Sequence, residues 1–99
     1  MKRFKVGDVI FHQRYQYRGV VFGCDSHFKG DDDWYHSNRT QPNREQPWYH
    51  VLVDEAQHTT YVAQENLEAD VTGDPVSHPL IDKIFASFHD GRYYNHSIN

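Results

Sequence analysis

Eight histidines, one cysteine and a run of three aspartates are the residues of this 99-residue chain with the strongest claim to chemistry. Nucleophilic catalysis by Cys24 would need a base such as His12, His27 or His50 beside it. Cys24 instead closes the apolar stretch Val20-Val21-Phe22-Gly23, where a free cysteine acts as a small hydrophobe, and no catalytic signature surrounds it. The histidines stand at positions 12, 27, 36, 50, 58, 78, 89 and 96, without the short paired spacing of a zinc site. A calcium loop counted from Asp31 would require glycine at its sixth position and glutamate at its twelfth, where His36 and Pro42 stand. Asp31-Asp32-Asp33 therefore reads as a solvated acidic loop. Glu65 and Glu68 read as solvent-facing residues rather than an acid–base pair. Gly7, Gly19, Gly23 and Gly30 match neither nucleotide-binding glycine motif. The expectation is a non-enzymatic protein with no cofactor and no metal.

Binding chemistry concentrates in two places. Arg14, Tyr15, Tyr17 and Arg18 interleave cations with aromatic rings, the combination that grips phosphate and stacks on bases. The competing reading is a turn with solvated arginines and tyrosines packed as a lid. Trp34 and Tyr35 stand among polar residues and form a second candidate contact surface. A third stripe, Leu80, Ile81, Ile84, Phe85 and Phe88, has helical spacing and is expected to pack on its own domain rather than on a partner.

The elements that must position these residues are mostly strands. Val9 to Arg14 and Arg18 to Cys24 form an expected hairpin, with Gly19 and Gly23 marking a bend or bulge. Residues 26–47 read as a long loop. Trp48 to Asp54 is the strongest strand signal and is apolar on both faces: Trp48 and Leu52 on one, Tyr49, Val51 and Val53 on the other. Thr59 to Ala63 returns as a fourth strand. After a linker over 71–76, Ser77 is expected to cap a helix that ends at Gly91, followed by a tail without periodicity. The expected fold is mainly β: a small SH3-like antiparallel β-barrel with a C-terminal helix. Residues 1–76 form the barrel, and 77–99 pack on or extend the same domain.

Charge and composition narrow the partners. The chain is net −4 with 37% hydrophobic and 15% aromatic residues, enough aromatic surface for a core. Residues 1–24 carry five lysines and arginines against Asp8 alone, whereas residues 54–70 carry five acidic residues and no lysine or arginine. Nucleic-acid binders usually present a basic stripe, and only the first quarter of this chain offers one. Protonating all eight histidines would carry the net charge from −4 to +4, so anion binding should strengthen in acid. A single cysteine points to a reducing setting, and the lack of a signal-peptide pattern or membrane span points to the cytoplasm or to a domain cut from a longer protein. The small core leaves room for homo-oligomerisation.

Three segments together resemble a known family. They are Gly7-Asp8-Val9-Ile10-Phe11-His12 with Tyr17-Arg18-Gly19-Val20-Val21, then Gln46-Pro47-Trp48-Tyr49-His50-Val51-Leu52-Val53, then Tyr61-Val62-Ala63-Gln64-Glu65-Asn66-Leu67. Their order and spacing over about residues 4–68 resemble the HspQ/YccV-like, or hemimethylated-DNA-binding, domain family. The resemblance implies a small β-barrel without catalytic residues, in which Gly19, Pro47, Trp48, Tyr49, His50 and Asn66 are motif residues with a structural role. It implies two functions, a heat-shock adaptor aiding ATP-dependent proteolysis, notably by Lon, and binding of hemimethylated double-stranded DNA. It also implies self-association, including trimers. Ser77-His78-Pro79 and the expected helix behind it are similar to an extension found in some F-box proteins, which suggests client recognition as a weaker alternative. The leading expectation is an adaptor contacting protein clients or a protease.

Overall fold

The computed structural model describes residues 1–96. Four of its strands lie where β-branched and aromatic residues cluster: β1 (Val9–His12), β2 (Arg18–Asp25), β3 (Trp48–Val53) and β4 (Thr59–Ala63). A 3-10 turn over Gln64–Asn66 leads into the three-residue β5 (Leu67–Ala69). These strands form one antiparallel sheet in the order β4-β3-β2-β1-β5.

The sheet curls but does not close into the expected barrel. β4 and β5 are its two edges, and no ladder joins them among the described residues. The three-residue turn between them forces the curl, because it must carry the chain from one edge to the other. The resulting seam is bridged near the β1–β2 turn by side chains, Tyr17 Oη lying 2.7 Å from Thr60 Oγ1.

Both faces of the central strands are buried. Ile10, Val21, Tyr49, Val51, Val62 and Leu67 fill the concave side with Phe4. Their sequence neighbours Val9, Val20 and Leu52 face the other way, as the period of two requires. Gly19 lets β2 and β3 approach: a Cβ there would fall 2.5 Å from Val51 Cγ1 and 2.6 Å from the Leu52 carbonyl oxygen. The register shift between Val21 and Gly23 is the bulge that the glycines of this strand foretell.

Two segments depart from the sequence expectation. Inside the long loop, Asp32–Ser37 forms a short helix, α1, whose N-cap is Asp31; its side chain accepts from Trp34 N at 2.7 Å. The aspartate run is therefore a cap and first helical turn, where negative charge complements the helix dipole.

The expected C-terminal helix is only one turn, α2 (Ile81–Ile84). Ser77 does not cap it; Leu80 occupies that position without a side-chain bond. The chain then extends into β6 (Phe85–His89) and β7 (Arg92–Asn95), a second two-stranded sheet covering part of the tail. Asp90 and Gly91 both have positive φ, 53° and 75°, and make the two-residue turn joining β6 and β7. The remainder of the tail, 97–99, lies outside the described residues.

Leu80, Ile81, Ile84, Phe85 and Phe88 do pack on their own domain, against Val9, Val20 and Leu52 together with Val76 and Tyr93. Tyr93 N donates to Gly7 O at 2.9 Å, and Arg92 pairs with Asp8. Residues 77–96 thus form one body with the sheet.

Candidate functional site

The seam also holds a cleft of about 900 Å³. All five residues of β4 line it. One wall is the β1–β2 turn with His12, Tyr15 and Tyr17, next to Asn66; the other is the α1 segment with Trp34, Tyr35 and Asn38. Tyr15 and Tyr17 from one of the regions singled out in the sequence and Trp34 and Tyr35 from the other, far apart along the chain, thus line one groove. Residue types point to each surface separately and to no pocket. Their juxtaposition is a property of the fold alone.

His12 organises the first wall. Its imidazole is buried between the rings of Tyr15 (4.8 Å) and Tyr17 (5.0 Å). Its Nδ1 accepts from the backbone N–H groups of Arg14 (3.2 Å) and Tyr15 (3.0 Å), so the neutral form closes the turn. Burial, then the charge of Arg14, lower its pKa from the ordinary histidine value. Tyr15 is left 47% exposed above it.

The second wall is a cluster of rings around Phe28. Trp34 stacks on Phe28 at 5.8 Å, and Tyr35 and Trp48 meet it edge-on at 5.4 and 5.0 Å. Two contacts hold the loop shut: Phe28 N donates to Arg44 O at 2.9 Å, and the Arg44 guanidinium sits 4.1 Å over Tyr35. Trp34 remains 40% exposed. Trp48 is buried beneath it, and its indole N–H has no acceptor among the described residues.

Between the walls, Tyr61 donates to Asp25 Oδ2 at 2.6 Å and stacks on His50 at 4.4 Å. Burial and the Asp25 carboxylate push the Tyr61 hydroxyl up to about 12. The Tyr61 hydrogen bond, followed by His50, holds Asp25 below the usual carboxylate range. Asp25 and Asp31 face a single Lys29 in the lining, so the groove is mildly acidic.

The motif residues build the frame. Tyr49 Oη accepts from the backbone N–H groups of Arg3 (3.1 Å) and Phe4 (3.2 Å) and donates to Gln64 Oε1 (2.6 Å), tying the N-terminus to the sheet. Pro47 O accepts from Gln64 N at 2.9 Å, and Asn66 O from Gln13 N at 2.9 Å.

Arg18 is not on the groove. Its guanidinium bonds both oxygens of Asp70 (3.0 and 3.2 Å), Asp54 Oδ2 (3.0 Å), and the carbonyls of Pro75 and Asp74. All five N–H donors are therefore committed, and the expectation that Arg18 grips phosphate gives way to a structural clamp. Arg14 is exposed at the turn but does not line the groove. No described cluster of three histidine, cysteine or carboxylate side chains is placed to hold a metal, and no described helix is long and apolar enough to cross a membrane.

Comparison with known proteins places the chain. F-box only protein 21 of Mus musculus is 33% identical over 94 residues, and that of Homo sapiens 32% over the same length. The match covers 92% of this chain but only 15% of those proteins. Residues 2–92 match the family described as hemimethylated DNA-binding protein YccV like. That match takes in the curled sheet, both walls of the groove and the start of the terminal hairpin, and the chain belongs to the YccV-like family.

Proposed function

We propose that this chain is a non-enzymatic recognition module that binds polypeptide in the groove between Tyr15 and Trp34. On this reading it serves as an adaptor, presenting clients to an ATP-dependent protease of the Lon type during heat shock. The observation that carries the reading is the groove itself. It offers exposed aromatic rings on both walls and a slight excess of negative charge, a surface suited to apolar or basic polypeptide and unfavourable to phosphate. Reconstituted proteolysis with and without the protein tests it. Client turnover should change on addition and return toward the basal rate with Trp34→Ala. No effect on turnover and no bound client would remove the adaptor reading.

DNA is the second reading, favoured by the family description and by the exposed Arg14. Titrating hemimethylated, fully methylated and unmethylated duplexes across a salt series tests it. Phosphate binding demands affinity that falls with salt and weakens in Arg14→Ala. Preference for the hemimethylated duplex is the further requirement for the methylation claim.

Client recognition in ubiquitin ligation is a third reading, supported by the similarity to F-box only protein 21. It uses the same groove and differs in the machinery that receives the client. Binding to a ligase scaffold rather than to a protease would distinguish it.

A further inference from the structure

The edge of β4 bears directly on how the groove binds. Val53 N donates to His58 O at 3.4 Å, and Gln64 N to Pro47 O at 2.9 Å. These two bonds bracket the β3–β4 ladder and set its phase, making Val51↔Thr60 and Tyr49↔Val62 the hydrogen-bonded pairs. Thr59, Tyr61 and Ala63 must then turn their N–H and C=O groups away from β3. Those of Thr59 and Tyr61 point to an edge where no further strand pairs among the described residues, along the line of the groove, whereas Ala63 is buried with Tyr35 and Trp48. A row of unpaired backbone groups is a template for another strand, and proteins normally cover such edges or blunt them with lysine, proline or a bulge. β4 has neither lysine nor proline.

We propose that the outer edge of β4 is a strand-addition site that takes an extended polypeptide segment of alternating apolar side chains flanked by basic residues. This rests on the reading that the groove binds polypeptide and names how it does so. The segment's backbone would pair with Thr59 and Tyr61. Its side chains would fall alternately toward Tyr15 and Tyr17 on one wall and Trp34 on the other, as the period of two dictates. Asp25 and Asp31, against Lys29 alone, set the preference for basic flanks. Thr59 and Tyr61 stand about 7 Å apart at ~3.4 Å per residue, one two-residue repeat of an added strand. The partner is a foreign segment rather than a second copy's first sheet: a second β4 would bring its own Asp25 and Asp31 to the acidic groove, and β5, the other edge of that sheet, has only three residues and is itself acidic at Glu68.

The probe is a capped peptide of alternating valine and threonine with a lysine at each end. Its counterpart carries glutamates instead of lysines. Amide hydrogen exchange is read alongside affinity. Thr59 and Tyr61 should become protected when the lysine peptide binds, whereas Thr60, Val62 and the buried Ala63 are protected in its absence. Thr59→Pro removes an outward donor without touching the β3–β4 ladder and should weaken binding about tenfold. Trp34→Ala should weaken it while leaving the new protection in place, and the glutamate peptide should bind more weakly at low salt. Circular dichroism verifies that each variant is folded.

Absence of binding by the unsubstituted protein would overturn both this proposal and the polypeptide reading. Binding that ignores Thr59→Pro and leaves the Thr59 and Tyr61 amides unprotected would overturn strand addition alone. Protection of those amides without peptide, with a concentration-dependent dimer in sedimentation, would assign the edge to a second copy and overturn the proposal.

Discussion

Arg18 shows how far a residue's role depends on what surrounds it. In the sequence it stands two positions after an exposed turn, beside tyrosines, and resembles a ligand-binding cation. In the fold its fork reaches Asp54 and Asp70, from turns far along the chain, and the Asp70 side chain is only 5% exposed. Removing one partner of so enclosed a pair leaves charge without compensation. Arg18→Ala should therefore cost about 3–5 kcal/mol. Urea denaturation would measure the loss. Arg18→Lys should recover only part of it, because an ammonium cannot reproduce the planar fork.

His12 makes a second prediction at this scale. Its folded pKa lies below the unfolded value near ~6.5, so the unfolded chain takes up the proton first. The neutral imidazole's contribution is complete above that value and is lost as pH falls from it toward the folded pKa. Protonation also removes the Nδ1 acceptor that closes the Arg14–Tyr15 turn. Melting temperatures measured from pH 8 down to pH 5 should fall, and His12→Phe should flatten the decline. An equally steep decline in that variant would transfer the effect to the other histidines.

The element scale explains what is legible locally and what is not. β1 to β4 are readable because runs such as Val9-Ile10-Phe11 and Trp48-Tyr49-His50-Val51-Leu52-Val53 declare strands on their own. α1 is hidden because six residues are too few to show helical periodicity. Only its cap, Asp31, with acidic residues in the first turn, could reveal it. Asp31→Ala should cost about 1 kcal/mol and loosen the Trp34 wall. A red-shifted tryptophan emission together with a lowered melting temperature would register both effects.

The terminal hairpin departs from the helix expected there for a geometric reason. Phe85 and Phe88 are three apart, as on one face of a helix, and in a regular strand they would point oppositely. The register shift between Phe85 and Ser87 turns both onto the same core. A bulged strand thus imitates a helical stripe. Asp90-Gly91 is a hairpin turn signal, but its glycine suits a helix terminus equally well.

At the scale of the whole molecule, the second sheet is a cover. Phe85 and Tyr93 are buried against Val9, Val20, Leu52 and Val76, and the Tyr93 hydroxyl accepts from Val76 N at 2.8 Å. A chain ending at residue 84 would expose that apolar face and lose both large aromatic rings. Phe→Ala changes in cores alone cost about 3–5 kcal/mol, so the shortened chain should fail to fold. A cooperative thermal transition in the shortened chain would show that the first sheet is independently stable. The same scale governs the groove, since its two walls come from residues 12–17 and 29–42 and meet only because the sheet curls.

The sequence alone determined a mainly β domain, its four longest first-sheet strands, the glycines at their close approaches and the family to which they belong. Each of these is written in short-range pattern: side-chain period, turn residues and the order of motifs. The open seam, the commitment of Arg18, the hairpin under the sheet and the placing of β4 at an edge of the sheet were decided by tertiary structure. They depend on which residues distant in the chain come together, and local pattern does not carry that.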